Sequence, residues 1–311
     1  MNFKEKYLLH FDQNQDHFNV FQYPTYLQSV SNGNWNVLGY VENNEIIILM
    51  PYVEEVTIKG KILKMPPLCQ YLGPVWVTTP TGSKSSILAK QNVAIGALLK
   101  NILAYDYVSY SFSTENLNPI PFHAAGLKPI SMVSYEQKNL NSIEDGFKVL
   151  ASNKRRTIKK IKDYEIHRKV KVDEFIHFFT STLNSRSDRP RYSVTMLKKL
   201  MNAGISEGFG KIFAISEKGK LAAAVFVVHD TRRAYHLVTP YDAKASRGML
   251  DLLTLHIMVE FNRKGLIYDF EGSISPGLER VYREFGANQV FYNHISQGLS
   301  WKGKLAELFK K

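Results

Sequence analysis

Ile267-Tyr-Asp-Phe-Glu-Gly-Ser-Ile-Ser-Pro-Gly-Leu-Glu-Arg-Val-Tyr-Arg-Glu-Phe-Gly-Ala287 decides how this chain is read. An apolar strand runs into two carboxylates, Asp269 and Glu271. A Gly272-Ser273 turn follows, and Pro276-Gly277 opens a helix, proline being preorganised for a first helical turn. The helix stops at Gly286, and alternation resumes through Val290, Tyr292 and His294. Such a strand, turn and helix put Asp269, Glu271, Ser273 and Tyr282 near a strand's C-terminal end, where ligands of open α/β sheets usually bind. Alternation assigns residues 269 and 271 to one face of the strand and Phe270 to the other.

Working outward, the stretch has an echo earlier in the chain. Asp106-Tyr-Val-Ser-Tyr-Ser-Phe-Ser113 leads to Pro119 and Pro121 and closes on Ala125-Gly126. Ser113 and Ser273 are 160 residues apart (273 − 113), and so are Gly126 and Gly286 (286 − 126), each placed to end a helix. A hairpin precedes each copy: Trp35 to Val41 with Glu45 to Met50 around Asn43-Asn44, and Lys211 to Ser216 with Leu221 to Val228 around Lys218-Gly219. A long helix follows each hairpin, over Ser85 to Leu103 and over Gly248 to Lys264, the second nearly all apolar. The fixed offsets read as one α/β unit written twice, joined near residues 140 to 150. In the first copy serines, Ser109 and Ser111, stand where the second has Asp269 and Glu271.

Composition bounds the function classes. A chain of 311 residues accommodates two domains, and 44% apolar with 22% charged residues is ordinary for a globular protein. No apolar run approaches bilayer-spanning length and the first residues are not a signal peptide, so a cytoplasmic location is expected. One cysteine, Cys69, excludes an intramolecular disulfide and a cysteine-based metal site. The nine histidines form no metal-binding pattern, and Walker, nucleophile-elbow and dinucleotide motifs are absent. Forty basic against twenty-eight acidic residues give +12. That balance suits tRNA, a nucleotide-bearing substrate or an anionic membrane surface, and equally a basic protein with no such partner.

The motif D-F-E-G-S…P-G-x-E-R-x-Y-R-x-F-G-A after a hairpin, strand and helix resembles the C-terminal half of FemAB-like proteins of the GNAT acyltransferase superfamily. Leu150-Ala-Ser-Asn-Lys-Arg-Arg-Thr-Ile-Lys-Lys160 resembles the basic helix that opens the second domain of that group, and Tyr71-Leu72-Gly73-Pro74 a first-domain signature. The resemblance implies an α/β (α+β) protein of two tandem GNAT-like domains, each a mixed, mostly antiparallel sheet flanked by helices. The expected domains are residues 1–143 and 144–311, the second carrying the active cleft. The implied activity is N-acyl transfer, of an acyl or aminoacyl group from an activated donor to an amine. One branch of the group uses acyl-CoA. The other, the Fem peptidyltransferases, moves amino acids from aminoacyl-tRNA to peptidoglycan precursors. Either way no cofactor is tightly bound, and the acceptor is a small-molecule or peptidoglycan-precursor amine. tRNA is a partner on the second branch, and peripheral membrane contact is compatible with both. A GNAT-fold binding protein without catalysis is the remaining reading.

The residues divide by the chemistry this requires. Acyl-CoA enzymes of the superfamily hold the pyrophosphate on backbone N–H groups at a helix start, with the text (Q/R)-x-x-G-x-(G/A). Aligned on Gly248, this chain has Ser246 for the first glycine and Ala243 for Gln or Arg. Ser246, Arg247 and Gly248 remain the candidate donor contacts, or simply begin the helix. Transfer to an amine needs a base, a stabilised oxyanion and a proton for the leaving group. Glu271 is the better candidate base. Asp269 is a second candidate, or a cap or ion-pair partner. Tyr282 resembles, through Y-R-E-F-G, the tyrosine that in GNAT enzymes protonates the departing thiolate, or is an aromatic packed with Phe285. Arg186, Arg189 and Arg191 form a polar loop suited to an anionic acceptor, or equally a solvated loop, with Ser273 as a further substrate contact and His236 as another, or as a satisfied core histidine. Lys154, Arg155, Arg156 and Lys159 belong to a run of six cations from Lys154 to Lys162. Ile158 and Ile161 would anchor one face of that run and leave the cations for a tRNA backbone, or for solvent.

Overall fold

The computed structural model describes residues 1–58, 60–114, 118–185, 189–190, 192–272 and 276–308. In chain order its strands are β1 (Asn36–Glu42), β2 (Glu45–Thr57), β3 (Gly60–Lys64), β4 (Val75–Trp76), β5 (Tyr107–Ser111), β6 (Ile130–Gln137), β7 (Tyr164–His167), β8 (Gly210–Glu217), β9 (Lys220–His229), β10 (Arg233–Val238), β11 (Ile267–Asp269) and β12 (Asn288–Gly298). Its α-helices are α1 (Phe3–Gln13), α2 (Pro24–Ser31), α3 (Lys84–Ile102), α4 (Ile120–Ala124), α5 (Ile143–Val149), α6 (Ser152–Ile158), α7 (Val172–Ser185), α8 (Val194–Ser206), α9 (Met249–Asn262), α10 (Pro276–Arg283) and α11 (Trp301–Leu308).

Both expected hairpins form. Their turns place two successive residues at positive φ, Asn43 and Asn44 at 50° and 65°, Lys218 and Gly219 at 50° and 76°. That is the backbone pair whose twist matches the flanking strands. The two long helices also fall where apolar periodicity puts them, as α3 and α9.

Two compact units result: residues 1–132 together with 291–311, and residues 133–290. In the first, β1 pairs antiparallel with β2, β2 with β3, β3 runs parallel to β5, and β5 pairs antiparallel with β12. In the second, β7, β8, β9 and β10 pair antiparallel in turn, β10 runs parallel to β11, and β11 pairs antiparallel with β6. The sequence antiparallel, parallel, antiparallel is common to both, so the mixed, mostly antiparallel sheet expected for each copy is present.

The unit boundaries differ from the expected 1–143 and 144–311. The strand after the first copy's glycine, β6, pairs in the second unit, and the strand after the second copy's glycine, β12, pairs in the first. Helix α5 reinforces this. A Cβ on Gly146 would collide with Leu255 of α9, so α5 packs backbone-close onto the second unit's central helix.

The core of the second unit explains the apolar run of α9. Leu252, Leu253, Leu255, Ile257, Met258, Val259 and Phe261 pack with Phe213, Ile215, Val225 and Val227 of β8 and β9 in one buried cluster. Burying side chains of this size contributes about 1.5–3 kcal/mol each. That rigidity supports the residues beyond the ends of β10 and β11.

Candidate active site

A pocket of about 360 Å³ opens in the second unit, lined by His236 and Thr239 at the end of β10, Phe270, Glu271 and Gly272 after β11, and Tyr282 on α10. Its geometry begins with Asp269, the last residue of β11, which is fully buried. Asp269 Oδ1 accepts from Ser134 Oγ at 2.5 Å and from the Glu271 N–H at 2.8 Å, and Oδ2 lies 3.9 Å from Arg233 Nη1. Arg233 also pairs with Glu136, which faces Asp269 across the β6–β11 register. Burial moves the Asp269 carboxyl up to about 6, against the hydrogen bond from Ser134 and the charge of Arg233.

This hydrogen bonding turns the chain out of the sheet. Glu271 has φ 59°, a left-handed conformation that costs a side-chain-bearing residue about 1–2 kcal/mol. Gly272 follows at φ 53°, where a Cβ would collide with the Val133 carbonyl oxygen. The expected alternation fails at this point. Residues 269 and 271 do not share a face: Asp269 points into a buried network, whereas Glu271 joins Phe270 on the pocket wall. Glu271 Oε1 is shut off from solvent and finds no hydrogen-bond partner among the described residues. Desolvation, then the charge of Asp269, raises the Glu271 carboxyl well above its usual range.

Two phenols respond to that carboxylate. Tyr282 packs against Phe270 and Tyr135, with centroids at 5.2 and 5.7 Å, and burial followed by the charge of Glu271 raises it to about 12. Tyr192 is stacked on Phe179 at 6.3 Å and raised to about 12 by the same two causes. Tyr192 was missed in the sequence because nothing but its residue type sets it apart from the arginines around it.

The remaining candidates scatter. His236 lines the pocket, but both ring nitrogens are engaged, Nδ1 with the Tyr268 hydroxyl at 2.6 Å and Nε2 with Thr239 Oγ1 at 2.5 Å. Burial lowers its pKa to about 4, so it is neutral. Arg189 is exposed, and Arg186, Arg191 and Ser273 lie outside the described residues. Among the basic run, Arg156 and Lys159 are exposed and Arg155 half-buried with its guanidinium on the Lys148 carbonyl. Lys154 corrects the expectation of an outward face. It is buried, 2.6 Å from Asp251, with its ammonium 4.3 Å from the Phe285 ring centroid. Lys154 and Ile158, four apart, are the residues of α6 that turn inward. Among the described residues no three potential ligands converge on a metal position, and no helix is long and apolar enough to cross a membrane.

With this geometry in hand, the protein class follows. Residues 150–279 match the acetyltransferase (GNAT) domain family, so the second unit is built around a GNAT domain. The whole chain has the fold of FemX, with a TM-score of 0.68 at 9% identity over 100% of this chain and 99% of that one. It shares the fold of the C-terminal DUF2156 domain of a proposed lysylphosphatidylglycerol synthetase from Agrobacterium fabrum (TM-score 0.59, 14% identity, 97% and 96% covered). L-PGS from Bacillus licheniformis is a further structural neighbour (0.54, 11%, 94% and 91%). A sequence comparison with curated proteins finds no match. Residues 150–279 thus match the GNAT acetyltransferase domain, and the whole chain has the fold of FemX, in line with the resemblance its motifs carry.

GNAT domains generally take acyl-CoA as co-substrate, and the loop before α9 is where its pyrophosphate would be held. The residues there do not fit that group. The Ser246 N–H donates to Glu217 Oε2 at 3.0 Å and the Lys244 N–H to Asp242 Oδ1 at 2.8 Å, so carboxylates already take the amides a phosphate needs. Gly248 has φ 95°, and a Cβ there would lie 2.8 Å from Thr157 Cγ2. Its lack of a side chain admits α6, not a phosphate. Asp242 and Asp251 line the adjoining pocket, opposing an anion further.

Proposed function

We propose that the second unit transfers an acyl or aminoacyl group from an activated donor to an amine, with Glu271 as general base. The Glu271 carboxylate carries this reading: it is desolvated, without a hydrogen-bond partner at Oε1 among the described residues, and held at strained φ on a pocket wall. A carboxylate raised by burial accepts a proton from an ammonium-derived nucleophile more readily than one in water. In the reaction the amine nitrogen bonds to the donor carbonyl carbon and its proton passes to Glu271. The bond from that carbon to the donor's oxygen or sulfur breaks, and Tyr282 supplies the leaving atom's proton. Asp269 is a positioning residue in this scheme, fixing the backbone of Glu271.

Between the two donor branches, two observations favour an oxyester, the chemistry of aminoacyl-tRNA. The loop before α9 is blocked to a pyrophosphate. A phenol raised to about 12 suits an alkoxide leaving group; a thiolate, with a conjugate acid near 8.5, leaves without needing so weak an acid. On this reading Arg155, Arg156 and Lys159 contact the tRNA backbone, Arg189 faces an anionic acceptor such as a peptidoglycan precursor, and the reaction is cytoplasmic.

Turnover with acetyl-CoA, a longer acyl-CoA and charged tRNA, each with an amine acceptor, tests this. Glu271→Gln should lower kcat about 100-fold or more, and Tyr282→Phe should slow an oxyester donor far more than a thioester. Full turnover in both variants defeats the assignment of residues. Efficient acyl-CoA turnover that Gly248→Glu abolishes defeats the reading of the loop. No turnover with any donor would leave a GNAT-fold binding protein.

A further inference from the structure

The first unit carries a group of exposed apolar side chains on elements tied to one half-buried residue, Asp106. Its Oδ2 accepts the Lys61 N–H at 2.8 Å, and a Cβ on Gly60 would collide with its side chain, so the β2–β3 turn is drawn onto it. From the other side, Ser300 Oγ donates to Oδ1 and the Leu299 N–H donates to the Asp106 carbonyl at 2.8 Å. A Cβ on Gly303 would also collide with that carbonyl, so α11 is docked backbone-first through its glycine. The β2–β3 turn and α11 therefore meet at one place.

Docking through glycines leaves several large side chains of both elements outside. Ile58, in the turn, is 100% exposed, and Val56 beside it is 75% exposed. On α11, Trp301 is 73% exposed and Leu305, one turn on, 49%. An isolated exposed apolar residue is unremarkable, but four on the two elements that Asp106 ties down are a candidate surface for a partner.

The charges show which partner fits. Lys302 and Lys304 are exposed on α11, with the Lys302 ammonium 5.7 Å from the Trp301 ring centroid, and the chain continues Phe309-Lys310-Lys311. The nearby acids make local bonds, Glu307 while remaining exposed. Glu307 Oε1 accepts the Gly298 N–H at 2.6 Å, and Glu54 Oε2 accepts from the Tyr105 hydroxyl at 3.0 Å and pairs with Lys61 at 3.1 Å. What remains outward is tryptophan and aliphatic groups bordered by lysines, the composition of a surface that lies in the headgroup region of an anionic bilayer.

We propose that the β2–β3 turn and α11 form a peripheral docking surface for anionic lipid bilayers, inserting Ile58 and Trp301 while Lys302 and Lys304 contact headgroups. This is independent of the chemistry assigned to the second unit. The whole chain would be mixed with vesicles of phosphatidylcholine alone and with about one third phosphatidylglycerol, at low and high salt. Co-sedimentation and tryptophan emission are the readouts. The expected result is binding to the anionic vesicles, weakened by salt, with a blue shift in emission. The pair Ile58→Ser and Trp301→Ser should lower partitioning about tenfold or more, and the pair Lys302→Glu and Lys304→Glu should remove the anionic preference. All four positions are exposed, so unchanged thermal unfolding should confirm intact folds. No binding to either vesicle, equal binding by the variants, or self-association abolished by the same substitutions would overturn the proposal.

Discussion

The strands β5 and β11 begin at equivalent places in the two copies, Tyr107 and Ile267 (267 − 107 = 160), yet they end differently. In the first copy β5 runs on to Ser111, which stays in register with His294 and bonds its Nδ1 at 2.9 Å. In the second, β11 stops at Asp269 and the position matching Ser111 becomes Glu271, left-handed and on a pocket wall. A serine that satisfies itself within the sheet keeps the strand going. A buried aspartate that captures the N–H two residues on ends it and lifts the next acid into a cavity. The difference between the two strand ends therefore rests on a backbone hydrogen bond as much as on residue type.

The largest effect should come from the pair 111 and 271. Glu271→Gln removes the proton acceptor, and the limb of the kcat/KM profile that rises with pH should vanish along with about 100-fold or more of the rate. That limb should lie well above the ordinary carboxylate range, since burial raises Glu271. Ser111→Ala, at the matching position, should leave rate and profile unchanged. An equal loss in both would dissolve the contrast.

Next is Arg233, which stands between Glu136 and Asp269. The matching cross-strand pair in the first copy, Ser109 and Ser296, needs no cation. Arg233→Met leaves two buried carboxylates uncompensated and should lower stability by about 3–5 kcal/mol, read from urea unfolding. A much smaller loss would mean that the carboxylates share a proton instead.

Asp269 itself gives a pH test. Its carboxyl rises from the usual 3.8 to about 6 on folding, so the native state holds a proton that the unfolded chain releases. The associated stability is fully present below 3.8 and is lost as pH rises through about 6. At about 1.36 kcal/mol per pH unit, the loss is about 3 kcal/mol. Asp269→Asn should accordingly gain on the wild type by about that much between acid and neutral pH, measured as the difference between two unfolding curves. Comparing the two proteins cancels the opposite trend from His236, which burial depresses to about 4 and which destabilises the fold as pH falls.

Much of this was legible in the sequence. The hairpins, the two long helices, the helix-ending glycines and the 160-residue offset are local patterns, and local backbone chemistry honours them. The pairing of β6 and β12 was not legible, because alternation marks a strand without naming its neighbour. Nor was the exit at Glu271, since alternation assumes the strand continues and only Asp269's hydrogen bonds stop it. Lys154 misled for a related reason. A run of cations reads as a solvated face until a half-buried Asp251 and the ring of Phe285 claim one of them. Tyr192 depends on a contact far along the chain, which no short pattern encodes.

The helix-ending glycines supply the smallest and cleanest comparison. Gly126 and Gly286 have nearly the same φ, 74° and 72°, so an alanine suffers the same left-handed strain at both, about 1–2 kcal/mol. Their surroundings differ: nothing lies within 4 Å of a Cβ on Gly126, whereas one on Gly286 would lie 2.7 Å from the Val149 carbonyl oxygen. Val149 ends α5, whose other close approach is Gly146 on Leu255, so the helix cannot retreat without opening that contact. Gly126→Ala should therefore lose only the conformational part, and Gly286→Ala should lose more by thermal unfolding under the same conditions. Equal losses would mean that α5 yields, and that the fit of α5 on the second unit is looser than its two glycine contacts require.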